Sequence, residues 1–284
     1  MIKKLFEIGK PIFSIEVFPP KKTSDIQIIY TALNEFKTLN PAFISVTYGA
    51  GGSTSRSTAE IASYIKNDCG IEALAHLTCV SLPDKEALHR YTETLKRSGV
   101  QNILALRGDR PKDMPEEQFE SRYFPYAADL VATLRQSDDF CIAGACYPEK
   151  HPESGTLQED ISHLTYKVEQ GLDFLITQLF YINDVFYRYL EQIRTAGIDI
   201  PVSAGLMPIT SISQVKNIIA LSGAALPEDL TQIIEKYKNS PADLKKAGLD
   251  YTKNQMDHLL SHGVDGIHLY SMNKVDIAQT ILGQ

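Results

Sequence analysis

The sequence predicts an α/β protein, a single (β/α)8 TIM barrel with an extra helical segment before the last strand. Two observations lead to this prediction. The chain has 284 residues, which suits one barrel domain spanning residues 1–284. Short apolar runs rich in β-branched residues also alternate with amphipathic runs of helical period, about 30 residues apart.

The predicted strands follow one another along the whole chain. They lie at 12–18, 42–47, 71–78, 102–107, 140–147, 174–180, 200–206 and 264–270. Strands that alternate with helices indicate βαβ units and a parallel sheet, and eight strands are the number that this closed barrel needs.

The predicted helices fill the intervals between the strands. The run at 84–99 carries Leu88, Tyr91 and Leu95 on one face, and Gly99 fits a C-terminal cap. Similar runs lie near 25–39, 56–68, 126–136, 158–170, 183–196 and 212–221. The one long interval precedes the last strand, and it holds the extra helical segment at 227–237.

The main alternative is an open, doubly wound sheet. That fold usually carries a Gly-rich first turn that binds its ligand. The Gly-rich turn of this chain, G-A-G-G-S-T from Gly49 to Thr54, follows the second strand and does not match G-x-G-x-x-G. The pattern therefore favours the barrel.

Composition excludes several classes of protein. The net charge is −7 and no basic stripe appears, so we expect no nucleic-acid partner. No run of 18 apolar residues predicts a membrane span, and the N-terminus is too short in its apolar part for a secretory signal. Cys141 and Cys146 lie on opposite faces of one predicted strand, and no C-x-x-C occurs. We expect reduced thiols in a cytoplasmic protein.

Polar residues follow nearly every predicted strand. The active site of such a barrel lies at the C-terminal ends of its strands, so these side chains should share one rim. They are Glu16, Thr47, Tyr48, His76, Thr78, Arg107, Asp109, Tyr147, Glu149, His151, Gln178, Gln214, Tyr270, Asn273 and Lys274. A full ring of this kind predicts one large polar ligand or two ligands.

Glu16 is the strongest single candidate, in the stretch F-S-I-E-V-F-P-P. Period-2 alternation turns Phe13, Ile15 and Val17 towards the helices, so Glu16 points into the barrel. Taken singly, the residues allow plainer interpretations: Glu16 could be an exposed strand residue and His76 a hydrogen-bonded core histidine. No H-E-x-x-H, paired Cys/His spacing or G-x-S-x-G indicates a metal or a serine nucleophile.

Seven segments together resemble one known family. They are F-S-I-E-V-F-P-P, S-V-T-Y-G-A-G-G, A-H-L-T-C, L-A-L-R-G-D, Y-P-E-x-H-P-E, I-T-Q-L-F-Y and G-L-M-P-I-T, in this order. The set closely resembles the bacterial methylenetetrahydrofolate reductases from about residue 10 to the C-terminus. Each segment alone is weak, whereas seven in register are specific.

The resemblance implies a flavin-dependent barrel that is usually homo-oligomeric. NADH or NADPH would reduce FAD and leave, and 5,10-methylenetetrahydrofolate would then accept hydride and become 5-methyltetrahydrofolate. The imidazolidine ring must open to an iminium first, which needs a proton on the departing nitrogen. Glu16 matches the family's catalytic acid, and its inward position among apolar neighbours suits that role.

The resemblance also carries residues over one by one. Asp109 would lie by the flavin and the pterin as a second catalytic and substrate-binding residue, Thr47 would line the nicotinamide site, and Gln178, Gln214 and Lys274 would contact folate. The FAD residues would be Tyr48, Ala50, His76, Arg107, Gly108, Asp109, Tyr126, Ala127, Tyr147, His151, Asp160 and Lys167. Four positions depart from a familiar member: Ile218 replaces a stacking Phe, Lys274 an Arg, His163 an Asn and Tyr166 an Arg.

Two alternative functions stay open at this point. One is another FAD barrel oxidoreductase, such as a proline dehydrogenase-like enzyme, which would need a pair of carboxylate-binding arginines that the sequence does not reveal. The other is a non-catalytic folate- or flavin-binding protein. Glu16 argues against the second alternative, because a binding protein has no need of an inward acid.

Overall fold

A computed structural model describes residues 1–20, 25–48, 54–111, 113–136 and 140–283 of the chain. Eight parallel strands close into a barrel in sequence order, with the first strand paired to the eighth. The strands are β1 Ile12–Val17, β2 Phe43–Val46, β3 Glu72–Thr78, β4 Asn102–Leu106, β5 Cys141–Cys146, β6 Phe174–Thr177, β7 Val202–Leu206 and β8 Gly266–Tyr270. The predicted barrel is confirmed, and the open sheet is excluded.

Helices surround the barrel and connect successive strands. They are α1 Lys3–Phe6, α2 Ile26–Phe36, α3 Thr54–Asn67, α4 Lys85–Arg97, α5 Glu116–Glu120, α6 Ala127–Leu134, α7 Leu157–Glu169, α8 Asn183–Thr195, α9 Ile212–Ser222, α10 Glu228–Tyr237, α11 Pro241–Ser261 and α12 Val275–Leu282. None of these helices combines the length and apolar character that a membrane crossing needs.

The interval between β7 and β8 holds more than the one extra segment that the sequence predicts. The extra segment is α10, and α11 follows it with 21 residues. Helix α11 packs beside α8 and α12, and so takes the place of a barrel helix, while α9 and α10 form an additional layer with their own apolar cluster. Helix α11 was not predicted from the sequence.

The barrel has two apolar layers. Ile15 and Val17 of β1 pack outward against the helices, as the alternation predicts. The lower interior is filled by Ile12, Phe43, Leu74, Leu104, Cys141, Ala143, Phe174 and Ile176. All four cysteines are free and buried, and Cys146 belongs to the outer layer, so Cys141 and Cys146 do lie on opposite faces of β5.

The N-terminal segment closes the floor of the barrel, at the end where the strands begin. Ile2 packs into the lower interior cluster, and the ring of Phe6 lies 5.2 Å from that of Phe174. The Ile2 amide donates to Asn102 Oδ1 at 2.8 Å, and the Asn102 amide donates in turn to Glu72 Oε2 at 2.9 Å. Polar side chains for a ligand are therefore to be sought at the opposite, C-terminal end.

Candidate functional site

Glu16 lies inside the upper barrel and is only 7% exposed. Its Oε2 atom is 3.4 Å from His76 Nε2 and 3.6 Å from His268 Nε2. The hydroxyl of Ser45 donates to the same carboxylate oxygen at 3.5 Å. The inward direction predicted for Glu16 is confirmed, and neighbouring strands supply the groups that surround it.

His268 connects this carboxyl to the barrel wall. Ser14 Oγ lies 2.7 Å from His268 Nδ1 and also donates to the carbonyl of Ile267 at 3.1 Å. Ser45 Oγ lies 3.4 Å from His268 Nε2. A hydrogen-bonded chain therefore runs from Glu16 down into the interior, where the ring of His268 stacks on Phe43 of the apolar filling at 5.8 Å.

His268, Ser14 and Ser45 are site residues that were not predicted from the sequence. Two signals could have found His268. Period-2 alternation turns Gly266, His268 and Tyr270 to one face of β8. Closure of the barrel also pairs the eighth strand with the first, where the register sets Ser14 opposite His268.

His76 and Tyr270 complete the upper interior. Burial lowers the pKa of His76 to about 4, against a smaller opposite effect of the Glu16 charge, so the imidazole is neutral at pH 7. Its Nε2 atom makes no hydrogen bond within the described part of the chain. Burial raises the pKa of Tyr270 well above its usual range, and the Tyr270 hydroxyl donates to the carbonyl of Thr177 at 2.8 Å.

The lowered pKa of His76 predicts a pH-dependent stability. The unfolded chain binds a proton on His76 below its ordinary pKa of 6.5, whereas the folded protein does so only near pH 4. The free energy of unfolding should therefore fall as the pH drops from about 6.5 to about 4, by on the order of 3 kcal/mol. Urea unfolding at several pH values measures this change.

Two variants separate His76 from other titrating groups. His76→Gln should flatten the pH dependence in this window, and His89→Gln, at an exposed position on α4, should leave it unchanged. An unchanged pH slope in His76→Gln would show that the buried imidazole is not its source.

The end of β4 and the loop after β5 form one charged cluster. The Arg107 guanidinium makes two hydrogen bonds to the Glu153 carboxylate, at 2.5 Å and 2.7 Å, which lower the pKa of Glu153. The rings of Tyr147 and His151 meet edge to face at 4.8 Å. Burial raises the pKa of Tyr147 to about 12, and the nearby negative charge of Asp109 adds to this effect.

Gly108 marks a close approach of the backbone at this rim. Its φ is +81°, a conformation that glycine adopts readily. A Cβ atom at this position would lie 2.9 Å from the Cβ atom of Thr78. Only glycine therefore fits here, where the chain after β4 packs closely against Thr78 at the end of β3.

The N-terminal parts of α6 and α7 lie beside the same cluster. Tyr126 precedes α6, which begins at Ala127, and is 64% exposed. Asp160, in the first turn of α7, accepts a hydrogen bond from Ser154 at 3.1 Å. Lys167 instead donates to the carbonyl of Ala145 at 2.6 Å, and burial lowers its pKa. Lys167 is therefore hydrogen-bonded to β5 in this structure, whereas Tyr126 is exposed and can contact a ligand.

The glutamines are engaged in their own loops. Gln178 Oε1 accepts from the Leu179 amide at 2.9 Å. Gln214 accepts from the amide and the hydroxyl of Thr210, at 2.8 Å and 2.9 Å, and donates to the carbonyl of Pro208 at 2.9 Å. Gln214 therefore organises the loop after β7, and sequence reasoning could not reveal that role.

The remaining predicted residues lie in different surroundings. Tyr48 meets Tyr91 edge to face at 5.9 Å and lines an outer groove between α3 and α4. Thr47 is held to the end of β1, where its amide donates to the Val17 carbonyl at 3.0 Å. Ile218 is buried in the apolar cluster of α9 and α10. Lys274 immediately precedes α12, and Ala50 lies outside the described residues.

Metal ligands do not cluster in the part of the chain that the structure describes. Within it, no three His, Cys, Asp or Glu side chains are arranged to hold a metal ion. The ionisable groups at this end of the barrel form two sets. One is Glu16 with His76 and His268, and the other is the charged cluster at the end of β4 and in the loop after β5.

Known proteins resemble this chain over its full length. Residues 1–284 match the family model described as methylenetetrahydrofolate reductase. The 5,10-methylenetetrahydrofolate reductase of Escherichia coli is 31% identical over 273 residues, which cover 96% of this chain and 90% of that protein. The methylenetetrahydrofolate reductase (NADH) 1 of Arabidopsis thaliana is 34% identical over 283 residues, 96% of this chain.

Some relatives are longer than this chain, and one solved structure shares its fold. The chain spans about half the length of the plant and yeast relatives that it matches, 48% for Arabidopsis thaliana and 44% for Schizosaccharomyces pombe. An uncharacterized Clostridium thermocellum protein that binds two copies of 5-methyl-5,6,7,8-tetrahydrofolic acid shares the fold, with a TM-score of 0.66 and 15% identity, over 100% of this chain and 98% of that chain. Since the family model matches every residue, the chain belongs to the methylenetetrahydrofolate reductase family.

Proposed function

We propose that the protein reduces 5,10-methylenetetrahydrofolate to 5-methyltetrahydrofolate, with FAD as its cofactor and NADH or NADPH as the hydride donor. The two substrates react in turn at one site, in a ping-pong sequence. The observation that carries the proposal is the Glu16 carboxyl, buried at the base of the mouth beside His76 and His268. The names of the relatives support the same reaction, and the Arabidopsis thaliana name favours NADH.

Glu16 acts as the general acid in this proposal. The five-membered ring of the substrate opens when the carbon–nitrogen bond to its methylene carbon breaks, and the departing nitrogen takes up a proton. Glu16 delivers that proton from the barrel interior to a substrate lying across the mouth. Ser45 donates to the carboxyl, His268 lies 3.6 Å from it, and Ser14 contacts the other nitrogen of that imidazole.

The residues at the charged cluster fit FAD. Arg107 would supply a positive charge for a phosphate or for the flavin ring in exchange for its Glu153 partner, and the exposed Tyr126 could stack on a flat heterocycle. Gly108 keeps the backbone close to β3 beside them. Bound FAD would supply the hydride transfer between nicotinamide and folate. The other residues proposed to hold it are Thr47, Tyr48, His76, Asp109, Ala127, Tyr147, His151 and Asp160, together with Ala50. Lys167 is proposed as well, and it would exchange its bond to the Ala145 carbonyl for one to the cofactor.

The folate would lie between this cluster and β6 to β8. Asp109 is exposed at the end of β4, where a carboxylate can accept hydrogen bonds from the amino and ring N–H groups of a pterin. Gln178, Gln214 and Lys274 complete the proposed folate site. Lys274 keeps a positive charge for the acidic tail of the substrate, without the two-pronged geometry of arginine.

Replacing Asp109 with Asn should slow folate reduction by about tenfold to a hundredfold, because a charge-assisted hydrogen bond becomes a neutral one. The reduction potential of the bound flavin should rise, since a negative charge near the ring is lost. Stopped-flow absorbance and a redox titration measure the two quantities. Asp113→Asn, at an exposed position four residues later, is the matched control. Unchanged kinetics and potential in Asp109→Asn would refute the assignment.

An anaerobic experiment tests the proposed function directly. The protein is loaded with FAD and mixed with NADH or NADPH, which should bleach the flavin absorbance, and 5,10-methylenetetrahydrofolate should then restore it and yield 5-methyltetrahydrofolate. Failure to bind FAD, or a reduced flavin that the folate does not reoxidise, would overturn the proposal. Flavin reduction by proline instead would identify the proline dehydrogenase-like alternative.

A further inference from the structure

Two consecutive residues of the loop after β8 adopt the left-handed backbone conformation. Met272 has a φ of 57° and Asn273 a φ of 59°. Residues with a Cβ atom seldom adopt this conformation, although asparagine tolerates it better than methionine does. Such a backbone persists only where the surrounding structure holds it in place. The contacts of this loop therefore show what the strained conformation accomplishes.

The side chain of Asn273 makes two hydrogen bonds to the backbone of Phe18. The Phe18 amide donates to Asn273 Oδ1 at 2.8 Å, and Asn273 Nδ2 donates to the Phe18 carbonyl at 2.9 Å. This pair of bonds fixes the orientation of the carboxamide, because the flipped amide would set donor against donor. Pro19 and Pro20 follow Phe18 and have no amide hydrogen, so the sheet ladder cannot continue there. The Asn273 side chain takes the place of a neighbouring strand.

Phe18, which Asn273 holds by these two hydrogen bonds, lies two residues beyond Glu16. Ser271 of the same loop donates to the Glu16 carbonyl at 3.4 Å, and the Thr47 amide donates to the Val17 carbonyl at 3.0 Å. The end of β1 is thus held by the loop after β8 on one side and by β2 on the other. Phe18 follows directly after β1 and is half-buried.

We propose that Asn273 is a positioning residue for the acid Glu16, and that the left-handed turn at Met272 and Asn273 exists to bring its carboxamide onto Phe18. The proposal rests on the proposed function, since it concerns the proton donor of the folate reaction. Asn273 itself reaches only the backbone. It sets where the end of β1, and with it the Glu16 carboxyl, meets a substrate in the mouth.

Two glycine variants separate the effect of the Asn273–Phe18 hydrogen bonds from the effect of the strained backbone. Glycine adopts the left-handed conformation freely, so Met272→Gly and Asn273→Gly both relieve the loop, and only Asn273→Gly loses the two hydrogen bonds. In Asn273→Gly we expect reoxidation of the flavin by methylenetetrahydrofolate to slow by on the order of 10- to 100-fold, as a displaced catalytic group does. Flavin reduction by the nicotinamide should keep its rate. Met272→Gly should match the wild type in both half-reactions.

A second measurement needs neither cofactor nor substrate. Hydrogen exchange at the Phe18 amide should be slow in the wild type and in Met272→Gly, and fast in Asn273→Gly. If Asn273→Gly does not fold, Asn273→Asp replaces it, because aspartate accepts from the Phe18 amide and cannot donate to the carbonyl. An intermediate loss in the folate half-reaction is then expected.

Three outcomes would overturn the proposal. They are a wild-type folate rate in Asn273→Gly, an equal loss in both half-reactions, and a Phe18 amide that exchanges rapidly in the wild type. These results differ from a failure of the proposed function, in which the wild-type flavin itself is not reoxidised by methylenetetrahydrofolate. In that event both the acid role of Glu16 and the positioning role of Asn273 are rejected, whatever rate of hydrogen exchange the Phe18 amide shows.

Discussion

Glu16→Gln should slow the reoxidation of reduced flavin by methylenetetrahydrofolate by about 10²- to 10⁴-fold, the usual contribution of a general acid. Glutamine has nearly the same shape as glutamate and can still accept from Ser45. It cannot release a proton to the departing nitrogen. Flavin reduction by NADH or NADPH requires no proton from this position, so that rate should be retained. Rapid mixing of each substrate separately, without oxygen, resolves the two rates.

The comparison between the half-reactions makes this test specific. A variant that had lost its fold or its flavin would be impaired in both. Glu117→Gln, which removes an exposed carboxylate from α5, serves as the control and should behave as the wild type in both. An equal loss of rate in the two half-reactions of Glu16→Gln would show that the residue does not act as the acid.

Gly248→Ala should destabilise the protein by about 3 kcal/mol or more, as severe overpacking does. Gly248 lies in α11 against the loop that follows β7. A Cβ atom at this position would lie 1.8 Å from the carbonyl oxygen of Ile209 and 2.9 Å from its carbonyl carbon. Because both are backbone atoms, no side chain can rotate away, and the helix must move from the loop.

The sign of this effect distinguishes packing from helix propensity. In an exposed helix, Gly→Ala stabilises by about 1 kcal/mol, so the tertiary contact must reverse the intrinsic preference. The free energy of unfolding in urea measures the change, and Lys246→Ala on the exposed side of α11 is the control, expected within about 0.5 kcal/mol of the wild type. A variant Gly248→Ala as stable as the wild type would contradict the packing of α11 against this loop.

The barrel itself could be predicted because its strands carry the usual signal. Each is a short run of apolar and β-branched residues, and in β1 the alternation correctly separated Ile15 and Val17 from Glu16. Helix α11 was missed for an equally physical reason. Its buried face includes Gly248, Thr252 and Gln255, so helical spacing is present without continuous apolar character. These residues are buried through contacts with distant segments, such as the bond from Gln255 Nε2 to the Phe180 carbonyl.

The candidate site, like the fold, could be predicted from the sequence only in part. The inward carboxyl of Glu16 follows from local alternation, whereas its contacts with Ser45, His76 and His268 arise only when four strands come together. Resemblance pointed to Gln214, but it could not show that its amide groups hold the loop after β7. The contacts of His268 with Ser14, Glu16 and Ser45 depend on chain closure over more than 200 residues, which no local pattern records.

Cys141 and Cys146 offer a way to observe how the protein opens. They lie on opposite sides of β5, and burial raises the pKa of each thiol to about 12, so almost no thiolate exists at neutral pH. A thiol reagent can therefore reach Cys141 only when the barrel interior opens, and Cys146 only when the helical layer separates from the strand. The two labelling rates, read from one strand, would report whether barrel and helices come apart together or in sequence.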